Sequence, residues 1–358
     1  MNVKEKVIRF YRLFRKKEPL GIDSLKGSGS YRRYFRIHEE DGTILAACND
    51  REEENEAFVG FTRHFRIRKL PVPEVFAYYR EDHIYFLEDL GPRNLYECLT
   101  GDTGEVLTDQ QSLTVYRKAL RQLVRFQTTG YEGLDLDLCY PHRSFDSRSM
   151  MWDMNYFKYM FLNLMAVPYH ERRLEHDLET LRDHLLKARS DFFLYRDFQS
   201  ANIIIRDMEP WFIDYQGGRR GAPQYDVASL LYDAKAHINA ERRELLLNEY
   251  LEEIEAGSGM SRAEFLLHYP AFAMIRLMQA LGAFGFRGLY EKKETFAESI
   301  VPAVGLLTDI VDNQDTGVGL RELFSTIRSI SAVKKFDELR AECISQDGLH
   351  GSRPNNYK

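Results

Sequence analysis

The chain has 358 residues, of which 44% are hydrophobic and 29% are charged. This composition is ordinary for a soluble globular protein, and the length is enough for one large or two modest domains. The net charge of −6 gives no general electrostatic attraction to nucleic acid or to anionic membranes. We therefore expect a soluble protein that binds neither nucleic acid nor a membrane.

The cysteines and the apolar runs of the sequence indicate the cellular compartment in which the protein is expected. Four cysteines, Cys48, Cys98, Cys139 and Cys343, are far apart and form no C-x-x-C motif. This spacing suggests neither a zinc site nor a disulfide framework. The first residues carry charges where a signal peptide needs an apolar core, and no apolar run approaches the length of a membrane span. We expect a cytoplasmic protein.

The N-terminal part begins with a predicted basic amphipathic helix over residues 3–17, which is followed by a hairpin. Gly27-Ser28-Gly29-Ser30 precedes an alternating strand over residues 31–37, and the Asp41-Gly42 turn leads to a return strand over residues 43–48. Bare backbone amides of a glycine-rich turn approach phosphates closely, so Gly27 to Ser30 is a candidate nucleotide-binding segment. A flexible hairpin with no ligand is an equal alternative for this segment.

A second helix and two strands are predicted next. Residues 51–65 have a helical pattern whose acidic start suits the positive end of the helix dipole, and Pro71-Val72-Pro73 ends the helix and opens a strand. An edge-like strand over residues 84–87 runs into Glu88-Asp89-Leu90-Gly91-Pro92, which is a natural lobe boundary. We therefore expect an N-terminal nucleotide-binding lobe over residues 1–90, a helical lobe over 91–347 and a disordered tail over 348–358.

The second part is predicted to be rich in helices, because apolar side chains recur there at helical spacing. Three such stripes are expected to face a core: Leu113, Tyr116, Leu120, Leu123 and Gln127; Trp152, Tyr156, Tyr159 and Met160; and Leu174, Leu178, Leu181 and Leu185. A further helix is predicted over residues 274–287, with Arg276 and Gln279 one turn apart. Asp226 is expected to cap the start of another helix.

Two short strands that each end at an acidic residue lie in the middle of the second part. The first, over residues 192–195, stops at Asp197, and Asn202 follows five residues later. After a predicted turn over residues 206–210, a strand over residues 211–213 delivers Asp214 and is followed by glycines. A β-hairpin whose Asp and Asn residues only cap turns is the alternative, but it does not explain acids at the ends of both apolar runs.

This layout is the one that phosphoryl transfer requires. A carboxylate must orient the attacking hydroxyl, and hard oxygen ligands must hold Mg²⁺ on the phosphates. Asp197 is the candidate for the first role, and Asn202 and Asp214 are the candidates for the second. Protein kinases carry H-R-D-x-x-x-x-N followed by D-F-G; the corresponding segments here are Tyr195-Arg196-Asp197-x-x-x-x-Asn202 and Asp214-Tyr215-Gln216-Gly217.

At these residues the sequence resembles the aminoglycoside phosphotransferase family, within the protein-kinase-like fold. Three segments carry the resemblance, namely Phe198 to Asn202, Ile213 to Gly217 and Tyr225 to Leu231. The closer resemblance, over about residues 27–288, is to the branch that phosphorylates amino sugars of the cell wall, the N-acetylmuramate/N-acetylglucosamine kinases. It implies an α+β two-lobe fold, with a small antiparallel-sheet N-lobe that carries a helix and a larger, mainly helical C-lobe.

The resemblance also implies ATP and Mg²⁺ as cofactors and part of their site. Glu88, Asp89 and Leu90 match the family's hinge, whose backbone pairs with the adenine ring. The strand over residues 44–48 matches the place of a phosphate-binding lysine, but it contains none. The cations that could replace it are Lys26, Arg32, Arg33 and Arg51.

Two further positions take their expected roles from the same resemblance. Glu56 matches the glutamate of the family's N-lobe helix, whose usual partner is the missing lysine. Tyr195 stands where many relatives have a histidine that braces the catalytic loop. We therefore expect Tyr195 to be structural.

Arginines are the candidates for contact with the phosphate acceptor. Arg219 closely follows Asp214 and could reach a phosphate or an acidic group of a sugar, and the resemblance places the helix of Arg276 near the acceptor cleft. These arginines favour a neutral or acidic acceptor, so ATP-dependent phosphorylation of an amino-sugar hydroxyl is the first hypothesis. A kinase for an aminoglycoside, choline or another amine, and a non-catalytic nucleotide-binding regulator, are the alternatives.

Overall fold

The computed structural model describes residues 2–25, 32–101, 104 and 106–347, with side chains as far as residue 342. The predicted phosphate-binding turn Gly27–Ser30, Lys26 and the tail over residues 348–358 lie outside the described residues. The chain divides into two compact units. The first comprises the chain up to Arg143 with Tyr195–Asp197 and Ala201–Arg219, and the second comprises Ser144–Leu194, Phe198–Ser200 and the chain from Arg220 onward.

The strands of the described chain are β1 (Gly21–Leu25), β2 (Arg33–Glu39), β3 (Gly42–Cys48), β4 (Val75–Tyr79), β5 (Ile84–Glu88), β6 (Phe192–Leu194), β7 (Ile203–Arg206), β8 (Glu209–Phe212) and β9 (Arg219–Gly221). Its helices are α1 (Val3–Arg15), α2 (Glu52–Ile67), α3 (Leu95–Thr100), α4 (Asp109–Gln127), α5 (Ser147–Phe157), α6 (Asn163–Met165), α7 (Glu171–Leu185), α8 (Gln224–Leu231), α9 (Ala240–Ser258), α10 (Arg262–Phe284), α11 (Glu294–Ala297), α12 (Ile300–Asn313), α13 (Arg321–Ser329) and α14 (Lys334–Asp347). Two π-helical turns, Lys158–Leu162 and Gly285–Tyr290, continue α5 and α10.

The first five strands form one antiparallel sheet in the order β1-β2-β3-β5-β4. The sequence predicted β2, β3 and β5 but not β1, because the segment GIDSL has no regular alternation of apolar and polar residues. The prediction of an edge position for β5 is wrong. This strand lies between β3 and β4, and its residues Ile84, Tyr85 and Phe86 are fully buried. Burial on both faces explains why its apolar residues run without alternation.

The two faces of this sheet pack against different helices. On one face, Phe35 and Ile44 belong to a core cluster with Phe10 of α1. On the other face, the strand register aligns Tyr34, Ala47 and Tyr85 across β2, β3 and β5. The Tyr85 ring stacks on Phe58 of α2, with 5.2 Å between the ring centroids. Because residues in register point to the same side of a sheet, Tyr34, Ala47 and Tyr85 define the face toward α2.

The strands β7 and β8 form an antiparallel hairpin between the predicted site residues Asn202 and Asp214. Its register leaves only Asp207 and Met208 in the turn, with φ values of 52° and 60°. Two central residues with positive φ are typical of the tight turns that join twisted strands. The predicted turn over residues 206–210 is therefore too long, and Pro210 lies within β8, opposite Ile205.

The long helix α10 is central to the second unit and packs against α5, α8 and α12. Just beyond α10, a Cβ atom at Gly285 would overlap the carbonyl oxygen of Met160, so only glycine allows this close approach. The predicted stripe of α7 is confirmed, because its four leucines are buried: Leu174, Leu178, Leu181 and Leu185.

The predicted core stripe of α5 is wrong in phase. Trp152 is 48% exposed, and Tyr159, just beyond the helix, is 51% exposed. The buried residues are instead Met150, Met154, Phe157 and Phe161. Both sets have helical spacing and both contain aromatic rings and methionine, so periodicity and composition alone did not distinguish them.

A small antiparallel sheet with its helices and a mainly helical remainder confirm the predicted α+β class. The lobe boundary near residue 91 stays a prediction. Among the described helices, none is both long and apolar enough to cross a lipid bilayer.

Candidate active site

Tyr195 fixes the segment that leads to Asp197. Its ring is fully buried and contacts the rings of Phe126 and Tyr215 edge-on, with centroid distances of 5.5 and 5.9 Å. Its hydroxyl donates to the carbonyl oxygen of Ile213 at 2.6 Å. This bond joins the residues just before Asp197 to the residue just before Asp214, which agrees with the structural role that we expected for Tyr195.

Asn202 brings the three predicted site residues together. Its side-chain Nδ2 donates to the backbone carbonyl of Asp197 at 2.8 Å and lies 3.4 Å from Asp214 Oδ2. Because a carbonyl oxygen only accepts hydrogen bonds, the NH₂ group must face Asp197, and the side-chain oxygen of Asn202 is directed elsewhere as an acceptor. The side chain of Asn202 is therefore oriented by the two residues with which it is predicted to act.

Asp214 is held in an unusual backbone conformation. Its φ is 69°, and that of Arg196, next to Asp197, is 82°. Left-handed backbone is costly for residues other than glycine, and such strain is concentrated at functional sites. Gln216 Nε2 donates to Asp214 Oδ1 at 2.6 Å. Gly217 lies against Asp197, because a Cβ atom added at Gly217 would be 3.8 Å from Asp197 Oδ2.

Tyr215 anchors the segment of Asp214 to helix α2. Its fully buried ring stacks on Phe58 with a centroid distance of 5.3 Å and an interplanar angle of 3°. Its hydroxyl lies 2.5 Å from the hydroxyl of Thr62. Burial raises the pKa of Tyr215 far above its usual value, so this hydroxyl stays protonated. The aromatic contact and the hydrogen bond together fix the residue after Asp214.

A buried arginine lies beside Asp214. Arg32 Nη1 is 4.0 Å from Asp214 Oδ1, and its Nη2 is 3.6 Å from Glu54 Oε2 on α2. The glutamate that matches the family position, Glu56, instead accepts from the Tyr78 hydroxyl at 2.7 Å. The helix carboxylate that faces the site is thus Glu54, which the sequence indicated only as part of the acidic start of the helix.

The side chains of the predicted hinge are engaged by the surrounding scaffold. Glu88 forms an ion pair with Arg206 at 3.0 Å. Asp89 accepts hydrogen bonds from Arg36 at 2.6 Å and from Thr43 at 2.7 Å. Burial acts to raise the pKa of Asp89, but the hydrogen bonds from Arg36 and Thr43 outweigh it, so the pKa is lowered and the carboxylate stays ionised. Leu90 is buried. A nucleotide contact here would use the backbone.

The two arginines that were predicted to contact the phosphate acceptor also form hydrogen bonds with other protein groups. Arg219 is buried, and its guanidinium donates to the carbonyl oxygens of Gly217 at 2.9 Å and Tyr140 at 3.1 Å. Arg276 is buried in α10, where it donates to the Ser229 hydroxyl at 2.8 Å and, at 2.9 Å, to Gln279 one turn along the helix. Substrate contact by either arginine stays a prediction.

The oxygen atoms around Asp214 fit a cation that prefers hard ligands. Mg²⁺ binds one or two protein side chains and completes its octahedral shell with phosphate and water oxygens. Asp214 and Asn202 supply a carboxylate and an amide oxygen, and Gln216 Oε1 is buried without a hydrogen-bond partner in the described part of the chain. The described residues contain no group of three or more His, Cys, Asp or Glu placed to hold a metal. A cation here would therefore need ligands from a bound nucleotide.

The chain is similar to known phosphotransferases in sequence. The model of the APH phosphotransferase enzyme family matches residues 23–266. An N-acetylmuramate/N-acetylglucosamine kinase from Neisseria meningitidis serogroup B is 26% identical over 212 residues, which are 57% of this chain and 59% of that kinase. The chain thus spans less than two thirds of the length of this relative.

Solved kinase structures share the fold. Amicoumacin kinase hAmiN, solved with AMP-PNP, Ca²⁺ and Ami, is 13% identical with a TM-score of 0.59, over 88% of this chain and 96% of that one. Choline kinase LicA from Streptococcus pneumoniae is also 13% identical, with a TM-score of 0.56 over 86% of this chain and all of that one. At this identity the likeness shows the kinase-like fold alone. Because the family model covers more than half of its residues, the chain belongs to the APH phosphotransferase family.

Proposed function

We propose that this kinase transfers the terminal phosphate of ATP to a hydroxyl of an amino sugar of the N-acetylmuramate/N-acetylglucosamine type. The observation that carries the proposal is the placement of Asn202, whose amide group contacts both the Asp197 carbonyl and the Asp214 carboxylate. Phosphoryl transfer in kinases uses two carboxylates and an amide. The contacts of Asn202 hold the residues that carry these groups together within one short segment of the chain.

Asp197 orients the acceptor in this proposal. Its carboxylate accepts a hydrogen bond from the acceptor hydroxyl and takes the proton as the oxygen bonds to the terminal phosphorus, while the bond from that phosphorus to the bridging oxygen breaks and ADP leaves. The backbone on both sides of Asp197 is restrained, by Tyr195 on one side and by the Asn202 contact on the other. A fixed carboxylate favours the reactive orientation of the hydroxyl, and positioning of this kind supplies much of the rate enhancement in phosphoryl transfer.

Asn202 and Asp214 are the residues that would hold Mg²⁺. When bound, Mg²⁺ would neutralise the negative charge of the nucleotide's phosphates. Gln216 keeps Asp214 oriented through its 2.6 Å hydrogen bond, and Tyr215 ties the next residue to helix α2. The strained backbone of Asp214 is thus held by its neighbours, as a preorganised ligand requires.

Two observations support ATP as the phosphate donor. The chain belongs to a phosphotransferase family, and a kinase of similar fold was solved with the ATP analogue AMP-PNP. In the proposal, the backbone of Glu88 to Leu90 pairs with the adenine, while Gly27 to Ser30 cover the phosphates.

The acceptor class is supported by the sequence relative rather than by the arginines. Arg219 and Arg276 direct their donors to protein groups, so their charges give no independent reason for an acidic acceptor. The Neisseria kinase aligns over 212 residues and acts, by its name, on N-acetylmuramate and N-acetylglucosamine. We therefore take these two sugars as the first acceptors to test.

A screen with radiolabelled ATP tests the proposal. Wild type and the Asp197→Asn variant are incubated with N-acetylmuramate, N-acetylglucosamine, choline and an aminoglycoside, and transfer of label to each acceptor is measured. Label on an amino sugar with wild type, and none with the variant, is expected. Label on choline or on the aminoglycoside alone would replace the acceptor class. ATP binding without transfer to any acceptor would favour the non-catalytic regulator.

A further inference from the structure

We propose that Arg32 supplies the phosphate-binding cation that β3 lacks. In this role its guanidinium, held by Glu54 of α2, binds the phosphate chain of the nucleotide next to Asp214. The proposal rests on the proposed function, because it takes Asp214 as part of a nucleotide site. The proposal adds Arg32 to that site. The sequence alone did not distinguish Arg32 from the other cations that could replace the lysine.

The strand β3 offers no cation toward the site. Its sequence is GTILAAC, and Ala47 is the residue in register with Tyr34 and Tyr85 on the face toward α2. A lysine at this position would project toward α2, where kinases pair their strand lysine with a helix glutamate. Ala47 is fully buried and ends in a methyl group, so the charge must come from another strand or from a loop.

Arg32 brings a charge to that face from the neighbouring strand. It directly precedes β2, and its Nη1 donates to the hydroxyl of Tyr34, the cross-strand neighbour of Ala47, at 3.2 Å. Its guanidinium carbon also lies 5.7 Å from the centre of the Phe58 ring on α2. These contacts place the charge on the side of the sheet where a lysine at Ala47 would project.

The charges around Arg32 repeat the pattern of a kinase phosphate site. Glu54 Oε2 is 3.6 Å from Nη2, and Asp214 Oδ1 is 4.0 Å from Nη1. The arginine is therefore near both the proposed magnesium ligand and a helix carboxylate, and a helix carboxylate is also the partner of the strand lysine in kinases. The Asp214 side chain is 38% exposed and that of Arg32 is 1% exposed. A phosphate bound at Asp214 would thus lie next to a guanidinium that the surrounding protein already holds in place.

Of the candidate cations that the structure describes, Arg33 and Arg51 fit this role less well than Arg32. Arg33 is the first residue of β2 and is exposed, and alternation along the strand points it away from the face toward α2. Arg51 is 54% exposed and pairs with Glu54 at 2.8 Å, so it reinforces the glutamate instead of approaching Asp214. Arg33 therefore provides a matched control, because it is the adjacent arginine with the opposite orientation.

Binding measurements without an acceptor test this proposal. Dissociation constants for ATP, ADP and adenosine are measured in the presence of Mg²⁺ for wild type, Arg32→Met and Arg33→Met. Loss of one charge-assisted phosphate contact should weaken ATP and ADP binding about tenfold to a hundredfold in Arg32→Met, and leave adenosine binding unchanged. Arg33→Met should bind all three ligands within about twofold of wild type.

A structural role of Arg32 would give a different result. If its loss only loosened the sheet, ATP and adenosine binding would weaken by the same factor, and this result would overturn the proposal, as would unchanged ATP binding. If Arg32→Met lacks a cooperative thermal transition, Arg32→Gln gives the same comparison with a side chain that can still donate to Tyr34. A wild-type protein that binds ATP no better than adenosine would also overturn the Arg32 proposal, whereas failure to phosphorylate any tested acceptor would count against the proposed function and leave the Arg32 binding result unaffected.

Discussion

The carboxylate of Asp233 holds Ser200 through two hydrogen bonds, because its Oδ2 accepts from the Ser200 amide at 3.1 Å and from the Ser200 hydroxyl at 2.5 Å. Asp233 Oδ1 in turn accepts from the amide of Lys235 at 3.1 Å. Ser200 lies between Asp197 and Asn202 in the sequence, so these bonds restrain the short segment that carries both proposed site residues. Because Asp233 binds Ser200 through these hydrogen bonds, we infer that it acts as a positioning residue.

Replacement of Asp233 should therefore slow the transfer step without preventing ATP binding. In Asp233→Ala we expect kcat to fall about tenfold to a hundredfold, as is common when the support of a site residue is lost, while the Kd for ATP stays within about threefold. Steady-state kinetics and nucleotide titration measure the two quantities. Asp183→Ala, which removes an exposed carboxylate paired with Arg182, is the control. Equal losses in the two variants would contradict this role.

Tyr195→Phe tests the bond that joins the two halves of the candidate site. The variant keeps the buried ring but removes the hydroxyl that donates to Ile213 at 2.6 Å. We expect the free energy of unfolding to fall by about 0.5–1.5 kcal/mol, the usual net value of one hydrogen bond. Urea denaturation measures it. Tyr159→Phe, at a residue that is 51% exposed, should be neutral, and a Tyr195→Phe protein as stable as that control would count against the bracing role.

Asp214→Asn should remove the dependence of ATP binding on magnesium. Asparagine tolerates the left-handed φ of 69° at this position and keeps one oxygen, but it loses the charge that binds the cation. We expect wild type to bind ATP more tightly with Mg²⁺ than with EDTA, and the variant to bind equally in both. Asp207→Asn, in the hairpin turn with φ 52°, is the matched control. A variant that keeps the full magnesium effect would exclude Asp214 as a ligand.

A pair of buried histidines should make stability depend on pH. His184 Nε2 and His268 Nδ1 are 3.1 Å apart, and burial lowers the pKa of both below 6.5. A lowered folded-state pKa means that the unfolded chain binds protons first as the pH falls. The stabilisation is therefore present above about pH 6.5 and is lost below it.

Thermal unfolding between about pH 5 and 8 tests this expectation. The melting temperature should fall below about pH 6.5 in wild type, and the His184→Gln/His268→Gln double variant should lose part of this slope. His176→Gln, at an exposed position, should keep it. The expectation fails if the double variant and the control have the same slope as wild type.

Much of the fold was predictable because its signals are local. The alternating pattern of β2, the apolar runs of β3 and β5, the inward leucines of α7 and the short strands before Asp197 and Asp214 all follow from periodicity and turn residues. Strand β1 was not predicted because its apolar and polar residues do not alternate regularly. Its strand conformation comes with its pairing to β2, which is not visible in its own sequence. Where two stripes competed in α5, only the tertiary packing decided which one was buried.

The candidate site was predictable where its residues lie close in sequence. Asp197, Asn202 and Asp214 occur within one stretch, and the structure places their groups in contact through the Asn202 side chain. The approach of Arg32 to Asp214 joins residues far apart in sequence and depends on the register of β2 and β3. The Ser200–Asp233 contact is likewise non-local. Spacing and composition carry no signal for such contacts.

The central claim is that Asp197 acts on the acceptor hydroxyl while Asn202 and Asp214 serve the nucleotide. Its most direct test is the Asp197→Asn variant, studied with ATP and N-acetylmuramate or N-acetylglucosamine under single-turnover conditions, with the Kd for ATP measured on the same preparation. The account predicts an ATP affinity within about threefold of wild type and a transfer rate lowered by about a hundredfold to ten-thousandfold, the usual contribution of an acid–base group. A variant that transfers phosphate at close to the wild-type rate would contradict it.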